Sequence, residues 1–349
     1  MNESHTTELA ENNPKQGCIN CGDFWVVPGY PNPLCQNCRD TFTKLQIPNW
    51  VKIFAAGIGL VILFSIYKIP RNIKTGIEFE KARTAMSEKK YFTAQKELQK
   101  VVAKAPEFLE AQSYLLISAY YNLDFDTFSK VFTKLKGENI KDQELFNQLD
   151  ETLNKAAIYY GGDEIHTLEH QYKDSFQNIP DDTLRQFIAT HDDVYAAMGY
   201  VTRLFDKKKY AACDSITELV LAKNPEFISG YMTLASSKRQ LDKFDESIKY
   251  CDKVLSINSE YVEASSSKAR TLLKAKKDTE ALDLALDCYK KDEKNSYSIC
   301  TLILAHHFNK NKKEEKELIA KILPLTDSLT VQSLRYVNDV ISGKEFFRN

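Results

Sequence analysis

Lys104-Ala-Pro106-Glu-Phe108-Leu-Glu110-Ala111 returns as Lys223-Asn-Pro225-Glu-Phe227-Ile-Ser229-Gly230, and again as Ile257-Asn-Ser259-Glu-Tyr261-Val-Glu263-Ala264. Pro225 and Ser259 lie 34 residues apart, as do Tyr91 and Phe125, and Tyr210 and Phe244. A fixed interval of this size marks an array in which each repeat is one supersecondary unit. The apolar residues of these units recur at helical spacing, so the units are built from helices. Glycine (12) and proline (10) are sparse, which suits long helices and disfavours an all-β fold with its frequent turns.

Within the first unit a small residue, an aromatic, a second small residue, two apolar residues and a proline fall on Ala82, Tyr91, Ala94, Leu98, Val101 and Pro106. The unit ending at Pro225 has Val201, Tyr210, Cys213, Thr217 and Val220 at the corresponding places. The next has Ala235, Phe244, Ser247, Cys251, Val254 and Ser259, and a further one Ala269, Asp278, Ala281, Ala285, Cys288 and Glu293. This pattern resembles the tetratricopeptide-repeat family over about two thirds of the chain, most strongly at 75–108 and 194–292. The resemblance implies a mostly α fold, a solenoid of helix hairpins. Small residues would let two helices approach, the aromatic would fill the gap between units, and the proline would end the second helix. No hairpin can bury its apolar surface alone, so stacking stabilises the array.

Repeats are therefore expected at 75–136 and 194–295. The unit with Phe125, Phe128 and Phe132 is degenerate, because aromatics replace small residues. Pro106 and Pro225 are 119 residues apart, three and a half periods, so 137–193 is read as an irregular helical segment. Leu145, Leu149, Leu153 and Ala156 give it helical spacing, Gly161-Gly162 breaks that helix, and Ile179-Pro180 opens another with Asp181 or Asp182 as cap. Residues 296–349 are expected to be capping helices. Cys213, Cys251 and Cys288 fall on inward positions of second helices, where a buried thiol acts as a small hydrophobe.

Upstream, Trp50 to Tyr67 reads WVKIFAAGIGLVILFSIY, with Lys52 its single charge. Eighteen helical residues span about 27 Å, close to a hydrocarbon core. Trp50 and Tyr67 stand where interfacial aromatics belong, Lys68 and Arg71 can snorkel, and Pro48 and Pro70 bracket the run. A single transmembrane helix over 50–68 in contact with the lipid bilayer is the expectation, a buried core helix the alternative. Ala55 and Gly59 could pack a homo-oligomer, although ordinary membrane-helix composition also explains them.

Residues 18–44 contain Cys18-Ile-Asn-Cys21-Gly22 and Cys35-Gln-Asn-Cys38. Two such knuckles at this separation resemble the zinc-ribbon family. Each turn presents two thiolates, and four complete a closed tetrahedral shell, so Zn2+ held by Cys18, Cys21, Cys35 and Cys38 would be structural. Phe24–Val27 reads as a short strand and Pro28–Pro33 as a turn. Two disulfides or a redox dithiol pair remain as alternatives. The polar residues 1–17, including His5, read as a flexible tail.

The net charge is −1, with three basic against five acidic residues in 1–49 and forty-three of each in 68–349. No segment carries the basic excess that nucleic-acid binding requires. One catalytic motif occurs: His166-x-x-Glu169-His170 is the signature of inverted zinc metallopeptidases, and Glu246 stands at a distance suited to a third ligand. Glu246 lies in a repeat turn where an exposed acid is usual, so an exposed histidine pair on an amphipathic helix is the preferred reading. His191 and His306-His307 read as surface residues or caps. No small-molecule substrate is indicated, and the chain is not expected to be an enzyme.

The resemblance implies protein partners bound along the repeat groove, hence a membrane-anchored scaffold for assembly or recruitment. A metallopeptidase, or a zinc- or thiol-dependent transmembrane sensor, are the competing functions. Thiolate zinc suits a reducing cytoplasm, which places the ribbon inside and the repeats outside. The free cysteines of the repeats and the cations Lys68, Arg71, Lys74, Lys81 and Arg83 argue the reverse. Long domains translocate despite nearby charge, which tips the balance to a cytoplasmic ribbon and extracytoplasmic repeats.

Overall fold

The computed structural model describes residues 17–43, 47–324 and 328–348, without the side chains of 66–72, 328 and 329. The tail expected over 1–17 thus lies, apart from Gly17, outside the described residues. The chain divides into two compact units at Asn72/Ile73.

The first unit holds the four cysteines, α1 (Gln36–Thr43) and the first part of α2 (Asn49–Ser87). No strand forms over Phe24–Val27. A single backbone bond, Val27 N to Leu34 O at 2.9 Å, joins the two sides of the loop, too little for a ladder. The helix expected to end at Pro70 continues instead to Ser87, and its last part becomes the first helix of the repeats. From Trp50 to Phe64 its large apolar side chains are exposed on every face. Among the described residues no helix is long and apolar enough to cross a membrane. The span expected over 50–68 reaches onto 66–68, whose side chains are outside the described set; its fully described part, 49–65, covers about 26 Å.

The second unit continues with α3 (Tyr91–Lys104), α4 (Leu109–Tyr121), α5 (Phe125–Leu135), α6 (Gln143–Ala157), α7 (Asp163–Gln171) and α8 (Asp181–Thr190). After them come α9 (Val194–Asp206), α10 (Tyr210–Lys223), α11 (Ile228–Gln240), α12 (Phe244–Ile257) and α13 (Val262–Lys274). The chain closes with α14 (Asp278–Lys291), α15 (Ser296–Phe308), α16 (Lys312–Ile322) and α17 (Ser328–Ile341). It is an all-helical, tetratricopeptide-like solenoid.

The hairpin turns show why one period runs through it. Lys89, Leu123, Lys208, Asp242, Lys276 and Lys310 are left-handed, with φ of 54–64°. The next amide then reaches back five residues, as Lys90 to Ala85, Asp124 to Ala119 and Lys277 to Leu272, at 2.8–2.9 Å. This closure satisfies carbonyls that the ending helix leaves open, and the second helix starts one residue later. The small positions of the repeat are sealed: Ala82, Ala94, Ala235, Ala269 and Ala281 are fully buried. Cys213, Cys251, Cys288 and Cys300 are buried free thiols.

Two regions depart from the expected boundaries. α6 starts 34 residues after α4 and packs on it, so it continues the row of first helices rather than being irregular chain. α7 does not pair with it: after a turn at Gly161, with φ of +71°, Ile165 of α7 packs with Leu184 of α8 and with Ala196 and Val201 of α9. The single helix α8 then shifts the register by half a period. Asp181 does not cap it: Pro180 is the N-cap, and Asp181 instead faces Arg203 at 3.5 Å. At the other end α15 and α16 form a full hairpin, and α17 packs on α15 as a first helix without a second.

The array also returns on itself. The corner between α12 and α13 docks on the first two hairpins: Ser259 N donates to Lys89 O at 3.0 Å and Asn258 Nδ2 to Tyr121 O at 3.0 Å. Glu260 receives the Thr93 amide and hydroxyl at 2.9 and 3.0 Å.

Candidate metal centre and interaction surface

The Sγ atoms of Cys18, Cys21, Cys35 and Cys38 all lie within 4.8 Å of one another, and Cys21 and Cys35 are 3.5 Å apart. A tetrahedral ion with bonds near 2.3 Å needs sulfurs roughly 3.8 Å apart, so the four could hold one metal ion. Two disulfides would require only pairwise proximity. The first knuckle is closed by Gly22 N donating to Cys18 O at 2.8 Å, with Gly22 at a φ of +75°. The second runs into α1, a helix not anticipated above, so that Cys38 N donates to Cys35 Sγ at 3.4 Å. An amide at a helix start favours a thiolate.

The thiols of Cys18, Cys21 and Cys38 titrate apart. Hydrogen bonding from the Cys35 backbone, helped by Cys21 and Asn20, draws Cys18 down to about 6 against the effect of burial. The Asp23 amide favours the Cys21 thiolate, yet the sulfurs of Cys38, Cys35 and Cys18, with burial, push that thiol up to about 12. Asn20 and Cys21 likewise favour the Cys38 thiolate, and burial with Cys35 and Cys18 outweighs them. Mutual repulsion thus opposes full ionisation, and a divalent cation is what would permit it.

The His166-x-x-Glu169-His170 motif is occupied otherwise. His166 meets Glu169 Oε2 at 2.9 Å through Nδ1 and Tyr160 O at 2.8 Å through Nε2. Tyr195 donates to Glu169 Oε1 at 3.0 Å, and His170 pairs with Asp174. Glu246 lies 3.0 Å from Lys238, which holds its carboxyl below the usual range. Among the described residues the four cysteines are the one cluster of three or more such groups close enough to share an ion. His306, read above as a surface residue, is buried at 7% exposure on α15, and burial depresses its pKa.

The sequence names no groove residues, because the repeat spacing alone does not show which first-helix positions face the concavity; the 34-residue interval between α4 and α6 is the signal that places a third first helix there. α2, α4 and α6, with Tyr91 at the start of α3, line a cleft of about 580 Å³ that includes Glu80, Arg83, Tyr114, Tyr121 and Glu151. Arg83 Nη1 pairs with Glu80 at 3.2 Å, and Tyr91 stacks on Tyr121 with centroids 4.3 Å apart. The lining is aromatic and mixed in charge.

No protein family matches the chain, and no curated protein does. Among solved structures it is similar to yeast Tom70, at 13% identity and a TM-score of 0.36 over 72% of this chain and 60% of that one. It is also similar to the TPR2AB domain of yeast Sti1, solved as a pHSP90 complex, at 14% identity and a TM-score of 0.30 over 70% and 99%. A third is the P58(IPK) TPR domain, at 13% identity and a TM-score of 0.27 over 84% and 96%. The chain spans 60% of the Tom70 length. Superposition is loose in each case, and the repeat architecture rests on the turns and packing described above.

Proposed function

We propose that this chain is a membrane-tethered scaffold. Its repeats bind a protein segment, its four N-terminal cysteines hold a structural zinc ion, and α2 anchors it in a bilayer. The observation that carries the binding function is the open cleft of three successive first helices, lined by Tyr114, Arg83 and Glu151. A helical array offers extended surface to a partner without needing a deep pocket. The exposed apolar residues on every face of α2 from Trp50 to Phe64 favour the lipid anchor, since such a helix is stable in an apolar surround. The donor set Cys18, Cys21, Cys35 and Cys38 favours zinc over harder cations. The chain performs no catalysis on this reading, with the ribbon cytoplasmic and the repeats extracytoplasmic.

The test is a photo-crosslinking amino acid at Tyr114 in the full chain in cells. A discrete protein adduct that Arg83→Glu abolishes is expected; adducts with lipid alone would overturn the groove reading. Separately, deletion of 50–65 should release the chain from alkali-washed membranes. If the intact chain is already released by that wash, α2 is no anchor.

A further inference from the structure

The four-cysteine module is built inside out. Among the described residues, Val26 and Leu34 are the apolar side chains that pack with Cys18, Cys35 and Cys38 in its interior. Ile19, Tyr30 and Phe42 are exposed, and Phe24 and Trp25 at the loop tip are 81% and 85% exposed. The tip is held in place: Cys18 N donates to Asp23 O at 2.7 Å and Trp25 N to Asp23 Oδ1 at 3.2 Å. A metal-held module needs little apolar core, so its aromatic residues are free to face outward. An exposed pair of large aromatics on a fixed turn is an interaction surface.

We propose that the Phe24–Trp25 tip inserts into the interfacial layer of the lipid leaflet that α2 enters. This rests on reading α2 as a membrane anchor. Three observations select lipid as the occupant. Thr43 ends α1 and Asn49 starts α2, and the chain between them reaches roughly 20 Å at most. A module of this size tethered so short stays at the surface of the bilayer. Its charges over 18–44 are Asp23, Arg39, Asp40 and Lys44, two of each sign and too few for ionic docking, and Arg39 is engaged over the Tyr30 ring at 3.5 Å. Tryptophan, with an apolar ring and one N–H donor, partitions to the headgroup boundary. The apolar tip and the apolar run that begins at Trp50 then share one interface.

The chain has two tryptophans, Trp25 and Trp50, so each can be read alone. Trp50→Phe leaves Trp25 as the reporter and Trp25→Phe leaves Trp50. Each full-length variant, its metal content measured to show the module intact, is reconstituted in phosphatidylcholine vesicles containing lipids brominated near the headgroup. The expected result is blue-shifted emission and bromine quenching for both reporters, with Trp25 sheltered from acrylamide. Quenching of Trp50 but not Trp25 overturns the insertion and leaves the anchor standing. Lipid quenching of neither overturns both. A Trp25 sheltered from acrylamide yet untouched by bromine also overturns it, since a protein surface or a second copy then covers the tip.

Discussion

At the scale of single residues, the left-handed turn positions carry a cost that the repeat tolerates. Lys276 has a φ of 62° and is exposed, so its side chain contributes little packing in return. A left-handed L residue costs about 1–2 kcal/mol, and glycine returns roughly half of that as backbone entropy of the unfolded chain. Lys276→Gly is therefore expected to stabilise the array by about 0.5–1 kcal/mol in urea titrations, whereas Lys276→Val should destabilise it. His306 supplies a pH dependence. Burial lowers its folded pKa, so its contribution is complete above the ordinary histidine value. It is lost as pH falls from there toward the folded pKa, because the unfolded chain takes up the proton first. His166 has the opposite sign: Glu169 raises its pKa, so that contribution is present at low pH and lost on the alkaline side. His306→Gln should accordingly flatten the fall in stability between about pH 7.5 and 5.5, read by urea midpoints at each pH.

At the scale of elements, the four-cysteine module should depend on metal for its fold. Structural zinc contributes about 10–16 kcal/mol to such sites, far more than a core of Val26 and Leu34 can. Purified chain is expected to retain one zinc through dialysis, and Cys35→Ser to lose it, with rapid proteolysis between 17 and 43 while the repeats stay intact. Full metal retention by that variant would show that three ligands suffice. The spacing of the knuckles made this site legible, because metal ligation fixes residue type and interval together. Helix α1 was not legible, since Gln36-Asn37-Cys38-Arg39 has no apolar periodicity and is helical only because Cys38 closes the knuckle above it. The hairpins were legible wherever the repeat keeps its small residues, as at Ala82 and Ala94. They were lost at α6 and α7, where the chain turns at the glycine pair so that α7 packs with α8 and α9 and not on α6. Phe128, an aromatic at a small position, is nonetheless buried at the turn of an ordinary hairpin, because stacking tolerates a local volume change that a motif does not show.

At the scale of the whole repeat unit, the order of nearest neighbours is broken at one corner, and the departure was written in the stretch that revealed the period. Pro106 and Pro225 become Ser259 in the third copy. Proline has no N–H, and Ser259 uses the one it gains to bond Lys89 O at 3.0 Å across 170 residues of chain. Beside it Asn258, fully buried, donates to Tyr121 O and to Asn122 Oδ1 at 3.0 and 2.9 Å. A simple solenoid couples only adjacent units, so its ends can unfold separately. This clasp ties the first two hairpins to the α12–α13 corner and should make 73–348 melt as one unit. Ser259→Pro restores the motif and its backbone is tolerated at that place in the other two copies, yet it deletes the amide. Loss of that bond and slackening of its neighbours removes about 1–2 kcal/mol from the clasp, while the stiffer unfolded chain returns part of it to overall stability. Global stability should then change little, and hydrogen exchange at the Thr93 amide, which donates to Glu260, should quicken about tenfold or more. Asn258→Leu, which strands two half-buried acceptors, should go further and split the denaturation curve in two. Unaltered exchange at Thr93 in Ser259→Pro, with a single transition in both variants, would mean that apolar packing of Ile257 and Tyr261, and not the polar clasp, joins the α12–α13 corner to the first hairpins.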